Sequence, residues 1–116
     1  MVTIADGGRP LAVGESVETV IVHDSDIRDI VSTLFSAGAE AIAVSGERVV
    51  FGTSIYCVGS TVVIGEERIS PPLEIAAIGD SSALLNALKQ DPELERLRRR
   101  AQDGSVSLTW HEAEEI

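Results

Sequence analysis

Apolar residues follow two different periods between Val17 and Cys57. Over residues 17–22 (VETVIV) β-branched residues recur at alternate positions, a pattern typical of a strand with at least one buried face. After this segment the apolar residues take the spacing of an amphipathic helix, at Ile27, Ile30, Val31 and Leu34. The pattern therefore predicts a strand that leads directly into a helix.

Both ends of this helix carry recognisable signals. Asp24, Ser25 and Asp26 all suit an N-cap, because their side-chain oxygens can accept hydrogen bonds from the unpaired N–H groups of the first turn. Acidic residues there also interact favourably with the helix dipole. Gly38 is expected to end the helix, since glycine adopts the left-handed conformation without a Cβ penalty.

Two short hairpins are predicted after the helix. The first has a strand over residues 39–45, a turn at Gly46-Glu47 and a strand over residues 48–56 with a possible bulge at Gly52. The second is an accessory hairpin in which residues 60–64 and 68–70 flank a turn.

The last third of the chain repeats the strand, helix and strand order. A strand is predicted over residues 73–78, a helix from Asp80 or Ser81 to Lys89, and a strand over residues 105–110. A second short helix should begin at Asp91-Pro92, since proline at the first helical position loses no hydrogen bond. We therefore predict an α+β fold, a ferredoxin-like or related split β-α-β sandwich in a single domain over residues 1–116. It should have one mostly antiparallel sheet with helices on one face.

Composition limits the classes of partner. The chain has 116 residues, of which 44% are hydrophobic, so it can bury a core without disulfides, and its single cysteine, Cys57, excludes an internal one. A net charge of −10 argues against nucleic acid and against anionic lipid as partners. The sequence shows no signal peptide and no apolar run long enough to span a membrane.

Motifs for catalysis or for cofactor binding do not emerge from the sequence. No serine lies in G-x-S-x-G, no phosphate-binding glycine motif is present, and Cys57 has no assignable base. The segment from His23 to Asp26 could suggest a metal site, but helix capping explains its carboxylates better. The arginines of residues 96–100 suit the C-terminal turns of a helix. We predict no catalytic, metal or cofactor-binding residue, and we expect no enzymatic activity.

One charged surface patch is the best candidate for contact with a partner. It would combine His23, Asp24, Arg28 and Arg48, of which Arg28 follows the helix cap and Arg48 opens the strand after the turn. Only the tertiary structure can decide whether these residues lie together.

Several spaced motifs occur along the chain: VHDSDIR at 22–28, AGAEAI at 37–42, GER at 46–48, Val58-Gly59, Pro71-Pro72 and AIGD at 77–80. Together they resemble a bacterial family of unknown function whose members are often labelled division initiation proteins. The resemblance runs from Val2 to about Leu108. The turn Ser45-Gly46-Glu47 departs from the family's more frequent Asn-Gly-Gln, at a position where only a turn is needed.

The resemblance implies a cell-envelope protein with an N-terminal membrane anchor, a coiled coil and this globular domain outside the cytoplasm. The chain also opens directly on the strand-like Val2-Thr3-Ile4, as a piece of a longer protein would. We therefore expect an interaction domain that binds protein partners in the envelope and is linked to cell division. The isolated domain should be a monomer or weak dimer, and the full-length protein an oligomer through the coiled coil. The alternative is a regulatory module that senses a small molecule at a pocket or subunit interface.

Overall fold

The described part of the protein has an α+β architecture. The computed structural model describes residues 2–6, 23–50, 52–58, 61–70, 72–103 and 106–110. The helices are α1 (Asp24–Ser36), α2 (Ser81–Gln90) and α3 (Glu95–Gln102), with a 3₁₀ turn at Pro92–Leu94. The strands are β1 (Val2–Asp6), β2 (Ala41–Val44), β3 (Glu47–Val49), β4 (Ile55–Val58), β5 (Thr61–Ile64), β6 (Glu67–Ile69), β7 (Leu73–Ile78) and β8 (Val106–Trp110). The strand predicted over residues 17–22 and the acidic end of the chain lie outside the described residues.

The larger sheet has the strand order of a split β-α-β fold. Its five strands run β3-β2-β7-β1-β8, and every neighbouring pair is antiparallel. Without β3, the order β8-β1-β7-β2 is ferredoxin-like: α1 lies between β1 and β2 in the chain, and α2 and α3 lie between β7 and β8. The predicted α+β fold class is therefore confirmed.

The segment between β3 and β7 builds a second sheet, which the sequence did not predict. Its order is β4-β5-β6, again antiparallel, so the accessory hairpin joins β4 rather than standing alone. The single strand predicted over residues 48–56 is wrong. Thr53 N–H donates to the carbonyl of Val50, and Gly52, the third residue of this turn, has a φ of 98°, a left-handed conformation that favours glycine. This turn carries the chain from one sheet into the other, and Gly52 belongs to it instead of to a bulge.

Two-residue turns close the β2–β3 and β5–β6 hairpins. In the first, Ser45 and Gly46 have φ of 47° and 88°, as a type I′ turn requires, and the flanking pair is Val44 and Glu47. In the second, Gly65 has a φ of 61°. Both turns match the right-handed twist of their strands, and each places a Glu-Arg-aliphatic segment on the edge of its sheet.

Most of the buried hydrophobic residues form one cluster between the helices and both sheets. Helix α1 contributes Ile27, Ile30, Val31 and Leu34, and the larger sheet contributes Ile42, Val44, Val49, Leu73 and Ile75. Ile55, Val62 and Ile64 of the smaller sheet complete it together with Leu84, Leu88, Leu94 and Leu97. The larger sheet therefore buries one face against the helices, as predicted, and its other face points outward.

The C-terminal end of α1 and the N-terminal end of α2 agree with their sequence signals. At the end of α1, Ala39 N–H donates to Leu34 and Gly38 N–H to Phe35, and Gly38 has a φ of 103°, which is a Schellman motif. Asp80 caps α2 by accepting hydrogen bonds from the N–H groups of Ser82 and Ala83. Among the described residues, no helix combines the length and apolar character needed to cross a bilayer.

Candidate interaction surfaces

The first turn of α1 has a reciprocal cap. His23 is the N-cap residue, and its N–H donates to Asp26 Oδ2 at 2.9 Å. The N–H of Asp26 in turn donates to the His23 carbonyl at 3.1 Å. Asp26 therefore acts from the third helical position, where a capping box usually has Glu or Gln. The helix begins at Asp24, so neither Asp24 nor Ser25 is the N-cap.

Asp26 also forms a buried ion pair with Arg100. Arg100 Nη1 lies 2.8 Å from both carboxylate oxygens, and the side chains are 16% exposed for Arg100 and 9% exposed for Asp26. The pair joins the first turn of α1 to the last turns of α3, where each charge also complements its own helix dipole. Asp26 therefore helps to hold α1 against α3.

Asp24 and Arg28 face β4 and satisfy its backbone. Among the described strands, β4 pairs with β5 alone and is therefore an edge strand. Arg28 Nη1 donates to the Ile55 carbonyl at 2.8 Å, and the Cys57 N–H donates to Asp24 Oδ2 at 3.3 Å. The two side chains lie 3.4 Å apart, with Arg28 51% and Asp24 30% exposed. They occupy an edge that would otherwise offer unpaired groups to another strand.

The structure separates the predicted charged patch into two places. His23, Asp24 and Arg28 share the first turns of α1, whereas Arg48 lies on β3 in the larger sheet, opposite Ala43. No hydrogen bond or ion pair within the described part of the chain links Arg48 to the other three. Among the same residues, no group of three or more His, Cys, Asp or Glu could hold a metal ion.

Two ionisable side chains near α1, those of Asp29 and Cys57, have raised pKa values. Partial burial raises the pKa of the Asp29 carboxyl, and the nearby carboxylates of Asp26 and Glu93 raise it further against the opposing effect of Arg28 and Arg96. Burial likewise raises the pKa of the Cys57 thiol, with a further contribution from Asp24. A raised pKa lowers the thiolate fraction at neutral pH, and this shift does not favour Cys57 as a nucleophile.

The arginines of α3 mostly serve internal contacts. Arg98 donates to the carbonyls of Leu88 and Asp91 at 3.1 and 2.8 Å, and thereby caps the C-terminus of α2. Arg99 pairs with Glu95 one turn earlier at 2.6 Å, as the four-residue spacing predicted. With Arg100 bound to Asp26, only Arg96 of this run carries no hydrogen bond or ion pair among the described contacts.

The exposed large hydrophobic side chains of the described residues lie on two outward sheet surfaces. The outer face of the smaller sheet carries Tyr56 and Val58, which are 45% and 51% exposed, beside Val63 and Arg68 in the paired strands. The open face of the larger sheet carries Ile78 and Val50, which are 43% and 60% exposed. Ala41, Ala43, Arg48, Glu74 and Ala76 belong to this same open face.

The two surfaces were not predicted, although the sequence contains a sign of the first. Val62, Val63 and Ile64 are three consecutive buried residues, and such a run is typical of a strand with apolar neighbours on both faces. Val63 is 5% exposed yet lies on the face opposite Val62, between Tyr56 and Arg68. The smaller sheet is thus apolar on its outer face as well as on its core face.

Comparison with known proteins gives a family and a fold. The model of the family described as "Bacterial protein of unknown function (DUF881)" matches residues 1–116. UPF0749 protein YlxW of Bacillus subtilis (strain 168) is 39% identical over 75 residues, which are 65% of this chain and 32% of that protein. UPF0749 protein Rv1823 of Mycobacterium tuberculosis (strain ATCC 25618 / H37Rv) is 31% identical over 78 residues, 67% of this chain and 25% of that protein.

The chain thus spans about a third or less of the length of these curated relatives. A crystal structure of an uncharacterized conserved protein from Mycobacterium tuberculosis has a TM-score of 0.61 and 22% sequence identity, over 99% of this chain and 83% of that chain. At this identity the similarity concerns the fold alone. Because the family model covers the whole sequence, the chain belongs to the DUF881 family of bacterial proteins of unknown function.

Proposed function

We propose that this domain is a non-enzymatic protein-binding module of a bacterial cell-envelope protein, and that its partner binds the outer face of the smaller sheet. The observation that carries the proposal is the pair Tyr56 and Val58, which stand half exposed on one face of β4. A tyrosine beside an aliphatic residue provides large contact area together with a polar hydroxyl, a combination enriched at protein interfaces.

The rigidity of this face supports its use in binding. Strand β4 is held by β5 on one side and by Asp24 and Arg28 on the other. Its core-facing residue Ile55 is 7% exposed and packs in the hydrophobic cluster. Tyr56 and Val58 are therefore presented on a fixed backbone, so that little conformational entropy is lost when a partner binds.

The chemistry of the partner surface follows from the composition of this face. An apolar segment of the partner would cover Tyr56 and Val58, with Val63 as the floor between the strands. Arg68 makes no ion pair within the described part of the chain and could receive a carboxylate or a carbonyl at the rim. The partner would thus be a protein with an apolar patch and an acceptor group beside it.

Photo-crosslinking in cells tests this proposal. A photoreactive phenylalanine derivative would replace Tyr56 in the full-length protein, expressed in its own bacterium. We expect a discrete crosslinked protein that mass spectrometry identifies, and we expect the second change Val58→Asp to remove it. The control places the same derivative at Ser82, an exposed position on α2. The proposal fails if Tyr56 gives no crosslink, or if both positions give the same crosslinked proteins.

The location outside the cytoplasm and the link to cell division are parts of the same proposal. They are supported by the family resemblance, which implies an anchor and a coiled coil before the domain. Protease treatment of spheroplasts should digest the domain while the membrane remains intact, and depletion of the full-length protein should change cell length at division. Full protection from protease would contradict the location, and unchanged cell length would contradict the division role.

A further inference from the structure

We propose that the open face of the larger sheet binds a second copy of this chain, in a weak symmetric dimer. This inference is independent of the proposed function, which concerns the smaller sheet. It rests on the apolar centre of the open face and on two charged side chains of opposite sign at its rim.

The centre of the open face is apolar and accessible. Ala41 pairs with Ile78, and Ala43 pairs with Ala76, so these four residues form two neighbouring rows across β2 and β7. Val50 follows β3 on the same face and is 60% exposed, whereas Ile78 is 43% exposed. The alanines keep the centre flat between the two larger side chains, which allows another flat surface to approach closely.

The rim carries one cation and one anion that have no partner within the described part of the chain. Arg48 lies on β3, in the row of Ala43 and Ala76, and its side chain is exposed. Glu74 lies on β7, two strands away and two residues along, and is also exposed. From strand spacing and rise, their Cα atoms are roughly 12 Å apart. Arg48 and Glu74 therefore lie on opposite sides of the apolar centre.

Symmetry makes this arrangement self-complementary. In a dimer with a two-fold axis, the same surface of both subunits takes part, so a contact from residue i to residue j occurs twice. An axis that runs between Arg48 and Glu74 places each arginine opposite the glutamate of the second copy. Two intersubunit ion pairs would then flank the apolar centre, a charge pattern that a second copy matches by itself.

Area and total charge both limit the strength of this dimer. The three strands β3, β2 and β7, at about 4.8 Å spacing and about five residues along each, give roughly 240 Å² per subunit, well below the roughly 800 Å² of a standard stable interface. A net charge of −10 on each copy also opposes association, although salt screens it beyond about 8 Å at 0.15 M. The dimer should therefore form reversibly, at high micromolar concentration and near-physiological salt.

Charge exchange provides the test, by sedimentation equilibrium at 0.15 M NaCl. The unchanged chain should be in concentration-dependent monomer–dimer equilibrium up to about 1 mM. Arg48→Glu and Glu74→Arg should each weaken dimerisation at least tenfold, since each places like charges opposite one another. The double variant with both changes should recover affinity to within about threefold of the original.

The single variants also control for net charge. Arg48→Glu changes the net charge from −10 to −12 and Glu74→Arg changes it to −8, so general repulsion cannot explain a loss in both. Arg96→Glu is the matched control, because it makes the same charge change at an exposed position on α3, outside both proposed surfaces. It should weaken dimerisation by less than threefold.

Three results would overturn the proposal: a monomer throughout the concentration range, a single charge reversal without effect, or a double variant that does not recover. Circular dichroism would verify that each variant is folded. If a charge reversal prevents folding, Arg48→Gln and Glu74→Gln replace the two single variants, and each should still weaken the dimer at least threefold. If these neutral changes do not weaken the dimer, the open face is not the dimer interface.

Discussion

Helix α1 is attached at its first turn in two places, and the two attachments differ in their access to water. Asp26 faces α3, where it accepts from Arg100 in a contact that is 9% to 16% exposed. Asp24, two residues earlier, faces β4 beside Arg28, in a contact that is 30% to 51% exposed. Two identical side chains in the same turn therefore have different energetic roles.

The difference shows that the burial of an ion pair determines how much stability is lost when one of its two residues is removed. If Arg100 is removed, the Asp26 carboxylate stays in a site where little water can reach it, so the remaining charge is poorly solvated. If Arg28 is removed, water can hydrate Asp24 because the contact is half exposed. The same type of ion pair should thus contribute strongly on one side of α1 and weakly on the other.

The largest expected effect is the loss of the buried partner. Arg100→Ala should lower the free energy of unfolding by about 3–5 kcal/mol, since it leaves Asp26 without its counter-charge. Urea denaturation followed by circular dichroism measures this change. The matched control is the neighbouring Arg99→Ala, whose exposed pair with Glu95 should contribute no more than about 0.5 kcal/mol. Equal effects of the two alanine variants would contradict the comparison.

An intermediate effect is expected on the β4 side. Asp24→Ala removes the acceptor of the Cys57 N–H and the partner of Arg28, and should lower the free energy of unfolding by about 1 kcal/mol. A double-mutant cycle with Arg28→Ala should give a coupling of no more than about 1 kcal/mol, because water screens the pair. A cost for Asp24→Ala as large as that of Arg100→Ala would show that the β4 contact is the stronger attachment.

A small effect of opposite sign is expected at Asp29, between the two attachments. Its folded-state pKa is raised above the ordinary value of 3.8, so the folded state holds this proton more tightly than the unfolded state. The charged form is therefore destabilising, and this contribution to stability is lost as pH rises from 3.8 through the raised pKa. Asp29→Asn should stabilise the protein at pH 7 by no more than about 0.5 kcal/mol and have no such benefit below pH 3.8. Thermal unfolding at both pH values measures the difference, and a destabilised Asn variant at pH 7 would contradict it.

No effect at all is expected from chelation. The carboxylates of Asp24 and Asp26 accept hydrogen bonds from arginine and backbone N–H groups, which leaves them poorly arranged to bind a cation. The melting temperature should therefore be the same with and without EDTA. A fall of several degrees that zinc or calcium reverses would show instead that Asp24 and Asp26 belong to a metal site.

The elements that the sequence determined by itself are those whose hydrogen bonds close within a few residues. Gly38 ends α1 and Asp80 caps α2 as predicted, because each contact is made inside one turn of the chain. The ferredoxin-like fold class also followed, since the order of strand and helix patterns restricts the topologies that a chain of this length can adopt. The strand predicted over residues 48–56 failed for a related reason. A turn whose third residue has a positive φ favours a glycine such as Gly52, but so does a bulge, and the pattern does not distinguish them.

Only the tertiary structure decided which distant side chains meet. Asp26 and Arg100 are 74 residues apart, and nothing local to either one indicates the other. Asp24 and Arg28 meet β4 because the chain leaves the larger sheet after Val50, whereas Arg48 stays behind on the open face. Contacts of this kind depend on strand order and on how helices pack over a sheet. These are set by burial of the whole core and not by the residues that finally touch.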